Sequence, residues 1–282
     1  MESPAPRNPR VPVRRWTGRG LSRAEPDAVS TEEPLQIRVD MRPLAVVMRT
    51  PGHDDELVAG FLVAEGLLRN RSDLRALRPH PRNRHGNVLD VHLADGVACD
   101  LGALGRHVAV GSSCGVCGRT TLESVRRRFP RPSGRFRIPA GLLAGLPDAL
   151  RGLQRDFSET GGLHAASLFG PDGRLEGVRE DVGRHNAVDK VVGRAFLDGR
   201  LPLGDVGLLV SGRVSFEIVE KAVAAGIGLV AAVSAPSSLA VDLARRHGVT
   251  LVGFLRSGRF NVYAAPRRIV AGRPRTVRRT AG

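Results

Sequence analysis

The chain has 282 residues, 41% of them hydrophobic, and a net charge of +15 at pH 7, so it is large enough for one large or two small globular domains. Its longest apolar stretch, residues 222–235, contains two glycines and is shorter than the roughly 18 to 20 residues that cross a bilayer, so we expect no membrane span. No apolar segment follows the first arginines and the three cysteines are an odd number, which argues against secretion and predicts a cytoplasmic protein.

The excess of positive charge is concentrated at the two ends of the chain. Residues 1–32 are rich in proline and arginine, and residues 267–282 hold six arginines and no acid, so both segments are predicted to be disordered tails. The chain has one Trp and one Tyr, which leaves few side chains that can stack on bases. The charge therefore does not favour a nucleic-acid-binding function.

A first α/β unit is predicted over residues 33–129. Residues 35–39 and 44–48 are strand-like segments separated by a short polar turn, which predicts a β-hairpin. A helix follows, with Thr50 as its cap, Pro51 in its first turn, and acids at positions 54–56 near its positive end. Residues 89–93 alternate apolar and polar side chains, which predicts a half-buried strand before a glycine-rich segment.

A second α/β unit is predicted over residues 130–266, after the linker-like sequence PRPSG at 130–134. It begins with a helix whose apolar stripe runs over 146–157, a hairpin over 164–178, and a helix over 188–196. Strand, helix, strand, helix and strand then follow at 206–210, 215–225, 227–233, 237–247 and 249–254. Crossovers of this length predict a βαβαβ unit with a parallel sheet, so the expected fold is α/β with two subdomains.

Ligands of open α/β sheets collect at the carboxyl ends of the strands. Here those ends are residues 211–213, 234–235 and 256–259, which combine small residues with Arg213, Arg256 and Arg259. Backbone N–H groups, helix N-termini and guanidinium groups at such positions can hold phosphate oxygens. The alternative is that these are ordinary turn glycines beside solvated arginines.

Residues 111–118, GSSCGVCG, place Cys114 and Cys117 in a CxxC pair, and seven arginines but only one acid lie between positions 119 and 137. Neighbouring positive charge lowers a thiol pKa and favours the reactive thiolate. Four roles remain open: a nucleophilic or persulfide-carrying thiol, a thioredoxin-like redox pair, half of a zinc site, or a structural turn. Cys99, between an alanine and an aspartate, is predicted to be inert.

Residues 180–190, EDVGRHNAVDK, concentrate ionisable and amide side chains before and within the first turns of a predicted helix. In a structural role, Asp181 caps the helix and Arg184 pairs with Asp189. In a functional role, Arg184 and His185 contact an anionic ligand or transfer protons. His164, which follows two glycines, is a second candidate for such a role.

These segments together resemble the FdhD family, sulfur carriers needed for formate dehydrogenase activity. The resemblance runs from about residue 33 to residue 266. Its most specific parts are the CGVCG core of residues 111–118, and residues 50–68, 160–164, 180–190 and 252–263.

The resemblance implies that a cysteine desulfurase hands sulfur to Cys114 as a persulfide, with Cys117 assisting. The sulfur then passes to the molybdenum cofactor, bis(molybdopterin guanine dinucleotide), which binds as a substrate before insertion into formate dehydrogenase. The resemblance also implies a sulfurtransferase in molybdenum cofactor biosynthesis, a homodimer, and no permanently bound metal. The residues that it assigns to cofactor binding are Phe254, Leu255, Arg256, Ser257, Gly258 and Arg259.

The family's fold is similar to that of cytidine deaminase, which implies a three-layer α/β sheet for the C-terminal subdomain. The zinc signature of the deaminases, H-x-E with P-C-x-x-C, is absent, because Ser113 precedes Cys114 and no histidine has a glutamate two positions later. A hydrolytic deaminase is therefore not expected. Two alternatives to a sulfur carrier remain: a non-catalytic chaperone that binds the molybdenum cofactor, and a CxxC metal-binding module.

Overall fold

The fold was analysed in a computed structural model, which describes residues 8–81, 86–97 and 129–272. Within these residues, the chain forms a mixed α/β structure with two larger sheets, two small strand pairs and six helices. The mixed α/β class expected from the sequence is confirmed. No helix in the described ranges combines the length and the apolarity that crossing a bilayer requires.

A two-stranded antiparallel ribbon precedes the larger sheets. It consists of β1 (Arg10–Val13) and β2 (Glu25–Ala28). Asn8 donates a hydrogen bond to Glu159 at 2.8 Å, and the hydroxyls of Ser30 and Thr160 are 2.8 Å apart, so the segment is tied to the second half of the chain. For residues 8–32, the predicted disordered tail is therefore corrected to an ordered ribbon, held by backbone pairing and these polar contacts.

A four-stranded sheet follows, with the order β4-β3-β6-β5. The predicted hairpin is β3 (Glu33–Val39) and β4 (Arg42–Arg49), and it turns through Asp40 and Met41, both with positive φ. Strand β5 (Leu74–Pro79) lies at the other edge, and β6 (Val88–Leu93) pairs with β3 in parallel. The hairpin and the strand near residues 89–93 are thus confirmed.

The first helix, α1 (Asp54–Ala64), starts later than the predicted cap implied. Its N-cap position is His53, in the left-handed region, and its first turn contains three acids. The prediction that Thr50 caps this helix is wrong, because Thr50 is buried and its hydroxyl instead accepts a hydrogen bond from the backbone N–H of Val182 at 3.1 Å. Thr50 therefore joins the start of α1 to a distant part of the chain.

The remaining elements build the larger sheet and its helices. In chain order they are β7 (Ile138–Pro139), α2 (Ala140–Leu153), α3 (Arg155–Thr160), β8 (His164–Phe169), β9 (Leu175–Asp181), α4 (Arg184–Leu197), β10 (Gly207–Val210), α5 (Phe216–Ala224), β11 (Leu229–Ala232), α6 (Ser238–His247), β12 (Thr250–Arg256), β13 (Arg259–Ala264) and β14 (Ile269–Val270). The sheet order is β13-β12-β11-β10-β8-β9. Strands β10, β11 and β12 are parallel, which confirms the predicted βαβαβ unit. At the end of the chain, β14 pairs with β7, so residues 267–272, predicted as tail, include an ordered strand.

Helices cover both faces of the six-stranded sheet, because successive strand residues point to opposite sides. Leu209 and Leu229 pack in one buried cluster with Leu146 of α2. Leu208 and Val230 pack in the other cluster with helices α4 to α6. That second cluster also contains side chains of α1 and the four-stranded sheet, so the core is continuous across residue 130. The two-subdomain boundaries and the likeness to cytidine deaminase stay predictions.

Helices α1 and α4 cross at a contact that only glycine permits. A Cβ atom at Gly193 would lie 1.7 Å from the carbonyl oxygen of Glu56, and one at Gly60 would lie 1.9 Å from the carbonyl oxygen of Asp189. Both obstacles are backbone atoms, which cannot rotate away. The two helices therefore approach as closely as they do because neither carries a side chain at the crossing.

We expect Gly193→Ala to lower the free energy of unfolding by about 1 to 3 kcal/mol, because the added methyl forces two packed helices apart. The measurement is urea denaturation followed by circular dichroism. The matched control is Gly145→Ala in α2, where nothing lies within 4 Å of the added Cβ and which should raise stability by roughly 0.5 to 1 kcal/mol. Equal effects at the two positions would contradict the close crossing.

Candidate functional site

One edge of the six-stranded sheet gathers the polar segments predicted from the sequence. The carboxyl ends of the parallel strands β10, β11 and β12 meet there. Strand β8 runs antiparallel to β10, and β9 antiparallel to β8, so the start of β8 and the end of β9 lie at the same edge. This topology brings together His164, residues 180–190 and residues 211–213, although they are far apart in sequence.

A cavity of about 550 Å³ opens at this edge, on the side of the sheet covered by α2 and α3. That volume lies in the range of small-molecule sites. Strand-end residues form one wall and the two helices form the opposite wall. The lining residues on the strand side include His164, Ser211, Val233, Leu255, Arg256 and Ser257, and those on the helix side include Asp148, Leu150, Arg151, Gln154 and Phe157.

The predicted cofactor-binding residues 254–259 surround the end of β12 and the turn into β13. Phe254 is 45% exposed and has a positive φ of 52°, at an irregularity in the pairing of β12 with β13. Its N–H donates to the carbonyl of Ser234 at 3.1 Å, which fixes it beside the end of β11. Leu255 points the other way and is fully buried in the cluster beneath α2.

Arg256 lies between two cavities. It lines the large cavity, and it also lines a second cavity of about 350 Å³ together with Phe254, Arg259, Phe260 and Asn261. Its Nη1 atom donates to the carbonyl oxygens of Val233 and Leu255. The segment predicted as one site thus divides, with Leu255 and Ser257 on the large cavity and Phe254 and Arg259 on the second. Gly258, with a φ of 80°, forms the turn between Ser257 and Arg259.

His164 lies within a group of cations at the same edge. Burial, together with the positive charges of Arg184, His185 and Arg213, lowers the pKa of His164. Its imidazole is therefore neutral at pH 7. Gly212 packs between His164 and Arg184. A Cβ atom at this position would lie 3.2 Å from Nδ1 of His164 and 3.6 Å from Cβ of Arg184.

His185, in the first turn of α4, faces a carboxylate on α5. Its Nε2 atom lies 3.0 Å from Oε2 of Glu217. Burial alone would raise the pKa of Glu217, but its contact with His185 and the positive charges of Lys221 and Arg184 together lower it by more, so the net shift is downward. The predicted functional candidates Arg184 and His185 are thus brought next to His164, and Glu217 is an acid that the sequence reasoning missed.

The acids of residues 180–190 have structural partners that differ from those predicted. Asp181 is fully buried and accepts hydrogen bonds from the N–H of Gly183 at 2.8 Å and the amide of Asn186 at 2.9 Å, but the N-cap position of α4 is Gly183. The predicted pairing of Arg184 with Asp189 is wrong. Asp189 instead pairs with Lys221 of α5, at 2.7 and 2.8 Å, because it faces into the helix layer.

The sequence reasoning also missed the helical wall of the large cavity. It treated residues 146–157 as one helix with an apolar stripe, whereas the structure breaks it at Gln154 into α2 and α3. The break turns Phe157 towards the cavity, where the guanidinium carbon of Arg151 lies 4.2 Å from its ring centroid. The polar residues interrupting the apolar stripe were the available signal. Cys99, Cys114 and Cys117 lie outside the described residues.

The fold and this edge define a mixed α/β protein with a cavity bordered by arginine and histidine side chains at the carboxyl ends of its parallel strands. Comparison with known proteins gives the family. The model of the FdhD/NarQ family matches residues 30–270, and the chain belongs to this family, as its motifs indicated.

Curated relatives are similar over most of their length. The sulfur carrier protein FdhD of Streptomyces coelicolor is 53% identical over 258 residues, covering 89% of this chain and 92% of the relative. The protein of the same name from Mycobacterium tuberculosis is 51% identical over 254 residues, covering 86% and 92%. A crystal structure from Desulfotalea psychrophila, provisionally described as a formate dehydrogenase accessory protein, matches with a TM-score of 0.76 and 27% identity, covering 94% of this chain and all of that chain.

Proposed function

We propose that this protein is a sulfur carrier in the maturation of formate dehydrogenase. The observation that carries the proposal is its identity of 53% and 51%, over most of both chains, with relatives named sulfur carrier protein FdhD. The crystal structure described as a formate dehydrogenase accessory protein supports the same recipient enzyme. The family match spans residues 30–270, a range that includes the CxxC pair.

Cys114 is the proposed sulfur carrier. Its thiolate attacks the outer sulfur of a persulfide on a cysteine desulfurase, so that a new S–S bond forms on Cys114 and the desulfurase cysteine leaves as a thiolate. The arginines that follow the CxxC pair in sequence favour the deprotonated form of the attacking thiol. Cys117 assists, and the sulfur then passes to the molybdenum cofactor. This activity is that of a sulfurtransferase.

The acceptor is proposed to be molybdenum bis(molybdopterin guanine dinucleotide), bound as a substrate. Its phosphates carry several negative charges, and the edge of the sheet offers Arg184, Arg213 and Arg256 close to the large cavity. Guanidinium groups bind phosphate oxygens through charge-assisted, bidentate hydrogen bonds. The second cavity, which adds Phe254 and Arg259, supports the assignment of residues 254–259 to the same ligand. A homodimer and a cytoplasmic location are part of this proposal.

Intact-mass spectrometry tests the carrier step. After incubation with a cysteine desulfurase and cysteine, we expect an added mass of about 32 Da on Cys114 that a thiol reductant removes, as for a persulfide on an activated cysteine. Cys114→Ala should show no such addition, and Cys99→Ala should retain it. An unmodified wild-type protein, or labelling that persists in Cys114→Ala, would contradict the proposed carrier.

A further inference from the structure

The β1–β2 ribbon continues beyond its two strands into a hairpin tip. Trp16 and Leu21 are antiparallel bridge partners there, and the N–H of Thr17 donates to the carbonyl oxygen of Gly20 at 3.2 Å. Gly18, with a φ of 83°, begins the two-residue loop, as is common in tight hairpins. The single tryptophan of the chain is therefore held at a defined position, where it is 69% exposed.

The two faces of this ribbon differ in composition, because side chains alternate along paired strands. On one face, Arg15 pairs with Glu25 and Asp27, each at 2.9 Å, so its charge is compensated within the ribbon. Val11 and Val13 on the same face are partly buried. The opposite face is exposed and has no acid. Its residues are Pro12, Arg14, Trp16, Leu21, Arg23 and Pro26.

Three arginines surround the apolar tip of the exposed face. Arg14 and Arg23 lie two residues outward from the bridge partners, and Arg19 lies in the loop. In the part of the chain that the structure describes, none of these three side chains makes a hydrogen bond or an ion pair. Tryptophan and arginine are the residues most concentrated at the centres of protein interfaces. The charge of this face is complementary to an acidic surface that contains an apolar pocket.

The base of the ribbon borders the large cavity. The hydroxyl of Ser30, two residues after β2, lies 2.8 Å from that of Thr160, and a Cβ atom at Gly162 would lie 2.8 Å from Oγ of Ser30. Gly161 and Gly162 line the cavity. From residue 19 to residue 30 the chain spans at most roughly 35 Å, so one globular protein can contact the tip and the cavity together.

We infer that the exposed face of the ribbon docks an acidic surface of the formate dehydrogenase that receives the cofactor, with Trp16 as the apolar anchor. The inference rests on the proposed function, because that function requires a second protein at the cavity. This position favours a protein over a membrane or a nucleic acid as the partner. The family match begins at residue 30, so the docking face lies outside the part of the chain that the family model describes.

Fluorine NMR tests the docking, because the full-length protein labelled with 5-fluorotryptophan carries one label, at residue 16. We expect purified formate dehydrogenase without its cofactor to shift or broaden this resonance, and about 0.5 M sodium chloride to reverse the change. Phosphatidylglycerol vesicles and a single-stranded oligonucleotide are the alternative probes and should leave the resonance unchanged. An equal or larger change with either alternative probe would overturn the inference.

Biolayer interferometry on immobilised formate dehydrogenase measures what each part of the face contributes. We expect Trp16→Ala to weaken binding by about 30-fold, as for an anchoring tryptophan, and Arg14→Gln/Arg23→Gln by about tenfold. Two matched controls change exposed side chains on other elements and should keep wild-type affinity. They are Val46→Ala on β4 and Arg245→Gln/Arg246→Gln on α6.

The carrier step separates a failure of this inference from a failure of the proposed function. Trp16→Ala should still gain about 32 Da on Cys114, because the CxxC pair is unchanged in this variant. Wild-type affinity in both ribbon variants would overturn the docking face and leave the proposed function standing. Absence of any complex with the wild-type protein would also overturn the docking face, and absence of the added mass as well would overturn the proposed function.

Discussion

Replacing Cys114 with alanine is expected to reduce formate dehydrogenase activity to the level of cells that lack the protein. The reason is that the carrier step needs a thiolate at this position, and alanine has no sulfur to attack the donor persulfide. The measurement is formate dehydrogenase activity in a bacterial strain whose own gene for the FdhD-family protein has been deleted and which produces the variant instead. Immunoblotting should show that the variant accumulates to the wild-type level.

Nucleotide binding separates this loss from a loss of folding. Purified Cys114→Ala should bind GDP with wild-type affinity, because every described residue that lines the cavity at the sheet edge is unchanged in this variant. Cys99→Ala is the control cysteine and should support normal activity. Full activity of Cys114→Ala in cells would refute sulfur transfer through this residue and favour a chaperone that only binds the molybdenum cofactor.

The second large effect is expected at the buried ion pair between Asp181 and Lys190, whose charged atoms are 2.7 Å apart and whose side chains are 0% and 1% exposed. Asp181 also accepts a hydrogen bond from the backbone N–H of Thr50 at 3.2 Å. Asp181→Ala leaves the Lys190 ammonium buried without its carboxylate. We expect the free energy of unfolding to fall by about 3 to 5 kcal/mol, measured by urea denaturation.

A double-mutant cycle tests whether the loss comes from the pair itself. Once Lys190→Met has removed the buried charge, the further change Asp181→Ala should cost less than it does in the wild-type protein. The control is Glu176→Ala, which breaks an ion pair with Arg200 at a more exposed position, 2.9 Å apart, and should have a much smaller effect. Additive effects at Asp181 and Lys190 would show that the pair does not couple them.

Hydrophobic periodicity was enough to predict most of the regular elements. Apolar residues alternate in β3 and β6, and valines recur at helical spacing in α4. Each pattern marks one buried face, so the predicted positions of these elements agree with the structure. The order of strands and helices from β10 to β12 then fixed the parallel arrangement and the sheet edge. The candidate residues at that edge followed from topology rather than from their separation in sequence.

Elements and contacts without an apolar pattern could not be predicted. The β1–β2 ribbon is mostly exposed and contains proline, so backbone pairing holds it without an alternating signal. The partners of Thr50 and Asp189 depend on how α1, α4 and α5 pack, and local spacing instead suggested a cap and a neighbouring arginine. The break at Gln154, which shapes the cavity wall, is marked only by polar residues that interrupt the apolar stripe, and periodicity alone did not separate α2 from α3.

The position of Arg256 limits how an elongated ligand can occupy this edge. One guanidinium borders both cavities and already donates to the carbonyl oxygen of Val233. A ligand group that turns the Arg256 guanidinium towards one cavity withdraws its N–H donors from the other cavity. The two ends of an elongated ligand therefore cannot bind independently. Their combined affinity would therefore differ from the product of the affinities of the separate fragments.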